Sequence, residues 1–278
     1  MPCASSSRSR PARAGVAEHL AGGPSDETPA ILRTGRGPVA AAVFGMSVRS
    51  PTGDDAAYIK WHLLDHLPEQ YRVGGIRHGV RWVSTPDCRQ ARALQGGALD
   101  AVDHVVNYLV APPVRESLEP AHQLMVALDD VGRMPSIRPP QIHVGLYELV
   151  GKTAAPRAVA GADVMPWRPA RAVYLIVEQL AHEAADDRAA ELDALVTLSG
   201  VAGVWRYAGG LADRNPDQVN SPADVQITVC YLDEDMTGTS AAVAPLLRRR
   251  WANSGIEPLL AGPFLPIVPW EWDRNLPA

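Results

Sequence analysis

Histidines in the first half of the chain are the residues best suited to do chemistry. Five of the eight histidines fall on predicted elements that lie close together. Neutral imidazole gives or takes a proton near pH 7, and a neighbouring tyrosine can donate a hydrogen bond to a developing oxyanion. The sequence therefore predicts acid–base chemistry, and the candidate catalytic residues are His66, His78, His104, His143 and Tyr108.

The segment KWHLLDHLPEQY, residues 60–71, holds the leading candidate, His66. We assign His66 as the general acid or base and Tyr108 as the group that polarises a carbonyl. The alternative is that His66 only contacts the last carbonyls of a helix that Pro68 ends. The remaining ring side chains near this segment or on the strands are predicted to bind substrate, although packing alone would also explain them: Trp61, His62, Trp82 and Tyr147.

A metal site is a more specific alternative to acid–base catalysis for His62 and His66, because residues four apart share a helix face. The glutamate of an H-E-x-x-H motif is missing, however, and no third ligand follows at a standard spacing. No C-x-x-C-H haem-attachment motif is present either. The prediction is therefore that the protein uses no metal and no cofactor.

A repeat organises the elements that position these residues. GIRHGVRWV, residues 75–83, aligns without gaps on GVAGVWRYA, residues 200–208, and this alignment pairs Arg81 with Arg206. Further along, VVNYLV aligns with ITVCYLD and pairs Tyr108 with Tyr231. Each copy has the predicted order strand, helix, strand, strand, helix, strand, which is the split β-α-β pattern of ferredoxin-like folds.

The predicted fold class is α+β, with two tandem ferredoxin-like units that form a pseudo-dimeric α/β barrel. Two four-stranded sheets in one chain would bury their open faces against each other. The predicted boundaries are a disordered leader over 1–37, a first unit over 38–150, a linker over 151–170 and a second unit over 171–278.

Strand alternation predicts which face carries the site, because residues two apart point to the same side. His78 and Trp82 would share a face with His104 and Tyr108 on the third strand, and with His143 on the fourth. The opposite face of the fourth strand is apolar, as a helix-packed surface should be. We therefore predict that the histidines face the barrel interior, and that the second half supplies an apolar wall.

Composition excludes several classes of function. A net charge of -5, with one short basic run, argues against nucleic-acid binding. No apolar stretch approaches the roughly 18 residues of a membrane span. Three widely spaced cysteines do not suggest a disulfide framework, which fits a reducing cytoplasm. The expected partner is a small-molecule substrate, and a homodimer is left open.

The pattern Y-x-x-W-H-x-x-x-H-L-P-E followed by GGIRHGVRW resembles the EthD-like branch of the dimeric α/β-barrel superfamily. His62 departs from it, because relatives mostly have tyrosine there, and the second half lacks W-x4-H-L-P. The resemblance implies a cavity and a range of chemistries, among them cyclases, isomerases, cofactor-free monooxygenases, haem enzymes and stress proteins. The function predicted is a cofactor-independent isomerase, cyclase, dehydratase or other lyase acting on a largely apolar, aromatic or polyketide-like substrate. The alternatives are a cofactor-free monooxygenase, a non-catalytic ligand-binding or stress-response barrel, and a haem-binding barrel.

Overall fold

The computed structural model describes residues 39–136, 138–181, 188–211, 222–253 and 255–276, and its elements are mixed α and β. The predicted leader, residues 1–37, lies outside the described residues. The strands are β1 Ala41–Ser47, β2 Ile76–Val83, β3 His104–Val110, β4 Gln141–Ala154, β5 Ala172–Gln179, β6 Val201–Ala208, β7 Val225–Leu232 and β8 Glu257–Pro266.

The helical segments cover the outside of the sheet. The first of them starts as α1 Asp55–Trp61, continues through a π-helical turn His62–His66 into α2 Leu67–Gln70, and ends in the 3-10 turn Tyr71–Val73. None of the helices described is both long and apolar enough to cross a membrane. The others are α3 Pro86–Gln90, α4 Val114–Asp130, α5 Arg188–Val196 and α6 Met236–Asn253, with 3-10 turns at Pro156–Ala158 and Ala162–Trp167.

The eight strands described close into one antiparallel barrel in the order β1-β3-β2-β8-β5-β7-β6-β4. The two halves of the chain meet where β2 pairs with β8 and where β4 pairs with β6. Closure leaves no open sheet edge, so a single chain completes the barrel without a second copy.

The segment between the halves belongs partly to the barrel. β4 continues to Ala154, four residues into the predicted linker, and residues 148–154 pair with β6. Two 3-10 turns follow, and they bring Met165 and Trp167 against the barrel core. The last strand, β8, spans 257–266. Its sequence is an apolar, proline-rich run without clear alternation, which does not fix a strand's ends.

Aromatic side chains fill the barrel interior. The Phe44 ring meets the edges of Tyr147 and Tyr207, with ring centroids 5.9 and 5.2 Å apart. All three side chains are fully buried, and such edge-to-face contacts add to the energy of burial. The interior is therefore a packed core.

The prediction that all the histidines share the interior face is wrong for β3. Val105 and Leu109 join the interior core, so His104 and Tyr108 point to the opposite, helix-covered side. His78 and His143 do lie on the interior side, next to Trp167 and Tyr147. In the β3 sequence HVVNYLV, both alternating sets of residues contain apolar side chains. The sequence of such a strand does not indicate which set points into the barrel.

The helix-covered side is more densely packed in the second half, where a cavity of about 380 Å³ remains, than in the first. Strand pairing makes Val43 equivalent to Tyr174 and Gly45 equivalent to Ile176. The larger residues of the second half pack in a broad apolar cluster with α5 and α6. The smaller residues of the first half leave space beneath α1 and α4. The second half therefore does not simply supply an apolar wall to a site in the barrel.

Candidate active site

Three contacts fasten the first helical segment to the sheet below it. At its start, Asp55 bonds His104 of β3, with Oδ1 and Nε2 2.8 Å apart. In the middle, His62 bonds Tyr108 of the same strand. At the end, the Tyr71 hydroxyl bonds the backbone N–H and carbonyl of Gly79 at 3.0 and 3.1 Å. These contacts fix the height and orientation of the helix over β2 and β3.

A π-helical turn aims the two helical histidines at the sheet. Pro68 lacks the N–H that would bond four residues back, and the turn His62–His66 forms just before it, closed by the bond from the Leu67 N–H to the His62 carbonyl. The wider turn lets Trp61 stack on His66, with ring centroids 5.0 Å apart. Pro68 therefore does not end the helix, which contradicts the alternative explanation for His66. Turns of this kind are frequent at functional sites.

A cavity of about 530 Å³ lies between this helix, α4 and the helix-covered side of the first sheet. Its volume is within the range of small-molecule sites. Most of its wall is apolar. The polar and aromatic groups that converge on it are Tyr58, Trp61, His62, His66, Gln70, Arg81, Tyr108, His122, Arg138 and Gln141.

His66 is held as a neutral imidazole. Burial, and then the positive charges of Arg81 and Arg138, lower its pKa to about 4, although the Asp65 carboxylate acts in the opposite direction. Within the described residues neither ring nitrogen has a hydrogen-bond partner, and only Nδ1 is fully buried. Nε2 is therefore the atom that remains accessible from the cavity.

His62 and Tyr108 form a buried pair in which Nε2 and the phenol oxygen are 2.6 Å apart. Burial, Arg81 and His66 hold the pKa of His62 well below its usual value, and burial raises the pKa of Tyr108. Nδ1 of His62 has no partner among the described groups. We assign the proton to Nε2, because the other tautomer would bury an N–H without an acceptor. His62 then donates to Tyr108, and the Tyr108 hydroxyl is free to donate into the cavity.

The structure brings together four of the nine predicted site residues. Trp61, His62, His66 and Tyr108 line the cavity. The other five lie elsewhere: His104 is bonded to Asp55 at the start of α1, while the interior side of the barrel holds His78, Trp82, His143 and Tyr147. The predicted site is thus divided between two faces of the sheet.

Sequence reasoning missed several groups that line the cavity. Arg81 is the most notable, because its side chain is only 4% exposed. It stands just before Trp82 in the G-I-R-H-G-V-R-W pattern, so this motif could have identified Arg81 as a candidate site residue. Tyr58 lies one helical turn before Trp61 and was likewise in the motif. No signal of comparable strength marked Gln70, His122, Arg138 or Gln141.

No protein-family model matches this sequence, and no curated protein matches it. Solved structures do show similarity. A candidate chlorite dismutase is 9% identical, with a TM-score of 0.48 over 86% of this chain and 100% of its own. A DypB variant from Rhodococcus jostii in complex with haem is 13% identical, with a TM-score of 0.46 over 82% and 94%. A chlorite dismutase from Candidatus Nitrospira defluvii is 12% identical, with a TM-score of 0.40 over 85% and 93%. Similarity at this level does not indicate which reaction this chain performs.

The histidines that line the cavity are poorly suited to coordinate haem iron. His62 uses Nε2 to bond Tyr108, which leaves His66 as the buried candidate. A metal-bound imidazole normally donates its other N–H to a carboxylate, a carbonyl or water, and Nδ1 of His66 has no such acceptor in the described part of the chain. The same residues contain no cluster of three or more His, Cys, Asp or Glu side chains suited to a metal ion.

We expect the protein to lose stability as the pH falls from about 6.5 to 4. His66 has a pKa of about 4 in the folded state against 6.5 when unfolded, so the unfolded chain binds more protons throughout that window and stability falls with pH. The shift corresponds to about 3 kcal/mol. Lowered pKa values at His62 and His143 act in the same direction. Urea unfolding at pH 7, 5.5 and 4 measures the loss, which His66→Gln should reduce; equal losses in the two proteins would contradict the assignment.

Proposed function

We propose that the protein is a cofactor-independent enzyme that performs acid–base chemistry on a small, largely apolar carbonyl compound. The reaction class is isomerisation, cyclisation, dehydration or another lyase step. The observation that supports this proposal is the meeting of a neutral imidazole and a neutral phenol in one apolar cavity. Convergent groups of this kind are typical of a catalytic site and are not needed for simple packing.

His66 is the proposed general base. Its neutral imidazole takes a proton from a carbon next to the substrate carbonyl, and it returns that proton to another position of the same molecule. Trp61 stacks on the imidazole and fixes its plane. Burial keeps the ring neutral at pH 7, so it is ready to accept a proton.

Tyr108 is the proposed donor to the carbonyl oxygen. As that oxygen gains negative charge during proton removal, the phenol hydrogen bond strengthens, which lowers the barrier. The raised pKa of Tyr108 keeps its proton in place, and His62 fixes the phenol oxygen through Nε2. Tyr108 therefore acts as a hydrogen-bond donor and not as a base.

We also infer that the barrel is a tandem of two ferredoxin-like units of the EthD-like branch. The strand order β4-β1-β3-β2 in the first half recurs as β8-β5-β7-β6 in the second. The helix motif of the branch provides Trp61 and His66, and its strand motif provides Arg81. The proposed site lies between the sheet and the helices, since aromatic side chains fill the barrel interior.

The proposal is tested by purifying the protein from cells, identifying any small molecule bound to it by mass spectrometry, and incubating that molecule with fresh protein in deuterated water. Acid–base chemistry at carbon predicts deuterium next to a carbonyl group, or a rearranged product that contains it. Tyr108→Phe should slow this incorporation by about 100-fold. Oxygen uptake would instead indicate a monooxygenase, and a Soret band in the purified protein would indicate haem. A ligand recovered unchanged and without deuterium would indicate a binding protein.

A further inference from the structure

Arg81 is a buried guanidinium that lines the cavity, and none of the described residues gives it a counter-charge. Its side chain is 4% exposed, and its Cζ atom lies 5.0 Å from the centre of the Tyr58 ring. Across the described ranges no carboxylate forms an ion pair with it, and its Nε atom has no hydrogen-bond acceptor. A buried charge is costly unless it is paired and hydrogen-bonded, so this arrangement needs an explanation.

The second half of the chain contains a matched arginine that is fully paired. Strand pairing places Arg81 opposite Val106 and places Arg206 opposite Thr228, at equivalent points after a bulge in β2 and in β6. Arg206 is 3% exposed. It bonds the Glu191 carboxylate at 2.7 Å and the Thr228 hydroxyl at 3.1 Å. The same position in the same barrel is thus neutralised in one half and left unpaired in the other.

Nothing in the wall of the first cavity replaces Glu191. The residues that line this cavity include Arg81 and Arg138 and no aspartate or glutamate. The position equivalent to Thr228 is Val106, which has no hydroxyl. The cavity therefore presents uncompensated positive charge within an otherwise apolar wall.

We propose that the cavity binds a small organic acid whose anionic group pairs with Arg81. This inference rests on the proposed function for the identity of the site, and it adds the substrate class: an apolar body with a carboxylate or a similar oxyanion. The guanidinium fork matches such a group with two parallel hydrogen bonds. The apolar body would contact the remaining wall, which includes Val43, Leu118, Ala121, Met125, Val144 and Leu146.

Anion binding would also adjust the proposed base. The charge of Arg81 is one of the causes that lower the pKa of His66, and an anion on Arg81 offsets it. The pKa of His66 then rises from its lowered value while burial, the largest cause of the shift, remains, and the imidazole becomes a stronger base. The substrate would thus activate the residue that acts on it.

Two fluorescent probes that differ only in charge test the proposal. 8-Anilinonaphthalene-1-sulfonate has an apolar body and an anionic sulfonate, and N-phenyl-1-naphthylamine lacks the sulfonate. Fluorescence titration of the full chain should show tighter binding of the anionic probe. Arg81→Met should lower the affinity for the anionic probe by about 10- to 100-fold and leave the affinity for the neutral probe unchanged. Arg81→Lys should restore part of the lost affinity.

Arg206→Met is the matched control, because it removes the equivalent arginine from the half in which it is paired. It should not change the affinity of either probe. Its melting temperature should fall, because the buried bonds from Arg206 to Glu191 and Thr228 are lost, although Arg250 still pairs with Glu191. That of Arg81→Met should rise by about 3 °C as an unpaired charge is removed. Equal affinity of the wild type for both probes, or a loss of anionic-probe binding in Arg206→Met instead, would overturn the proposal. Turnover plays no part in these measurements, so a failed catalytic assay would leave anion binding standing, and the reverse also holds.

Discussion

Replacing His66 by glutamine lowers turnover by about 100- to 10,000-fold, the usual cost of losing a general acid or base. Glutamine has similar size and polarity but does not exchange protons near neutral pH. The fold should survive, because the described structure shows no hydrogen bond from the His66 ring that glutamine would break. Steady-state rates with the identified ligand, compared at equal folded concentration, measure the effect.

His78→Gln is the control for this result. His78 was also a predicted catalytic residue, but its ring lies on the interior side of the barrel, 5.7 Å from that of Trp167. Its replacement should leave turnover within about 3-fold of the wild type. Full activity in His66→Gln, or an equal loss in both variants, would show that the cavity beneath the helix is not where the reaction occurs.

The barrel and the helical part of the site were predictable because they depend on short-range patterns. Strand and helix periods predicted the order of the elements. The repeat matched Arg81 to Arg206, and these two residues do occupy equivalent pairing positions. It also matched Tyr108 to Tyr231, which is wrong by one residue, because the strand pairing makes Tyr108 equivalent to Cys230. Trp61, His62 and His66 lie within two turns of one helix, so their proximity follows from their spacing in the sequence. The stacking of Trp61 on His66 depends in addition on the π-helical turn. These features need no knowledge of distant contacts.

The side of the sheet to which each β3 side chain points was not predictable, because it depends on how β3 pairs with strands far away in the chain. A shift of one residue in the pairing register moves every side chain of the strand to the other side of the sheet. In HVVNYLV, both alternating sets of residues contain apolar side chains, so either set could face the core. The error assigned His104 and Tyr108 to the same side as His78 and His143. The proposed site combines Tyr108 of β3 with the helical histidines above it.

The sequence also could not predict that Arg81 has no ion-pair partner among the described residues. Whether an arginine is paired depends on which helix residue stands above it, and the sequence has many acidic residues in both halves. In the second half, α5 places Glu191 over Arg206. In the first half, Asp65 and Glu69 of the helical segment pair with Arg133. Only the packing of α1, α2 and α4 reveals this difference.

His104 should show the opposite behaviour to His66: its loss should reduce stability without removing the reacting group. Burial works against the charged form of Asp55, but bonds from His104 and from the Ser50 backbone outweigh it and hold the pKa of Asp55 below its usual value. His104→Ala leaves this buried carboxylate without its side-chain partner, which we expect to cost about 3 kcal/mol. The melting temperature should fall by about 6 to 10 °C, measured by calorimetry at pH 7.

Two controls separate the lost hydrogen bond from the lost volume. Gln226 is the residue of β7 that corresponds to His104, and it is buried without a charged partner among the described residues. Gln226→Ala should therefore cost only about 1 kcal/mol. In an Asp55→Asn background the carboxylate is gone while the Ser50 N–H retains an acceptor, so the further change His104→Ala should cost less than half of what it costs in the wild type. If the two losses simply add, His104 stabilises the helix by packing, and the Asp55–His104 contact does not anchor the segment that positions His62 and His66.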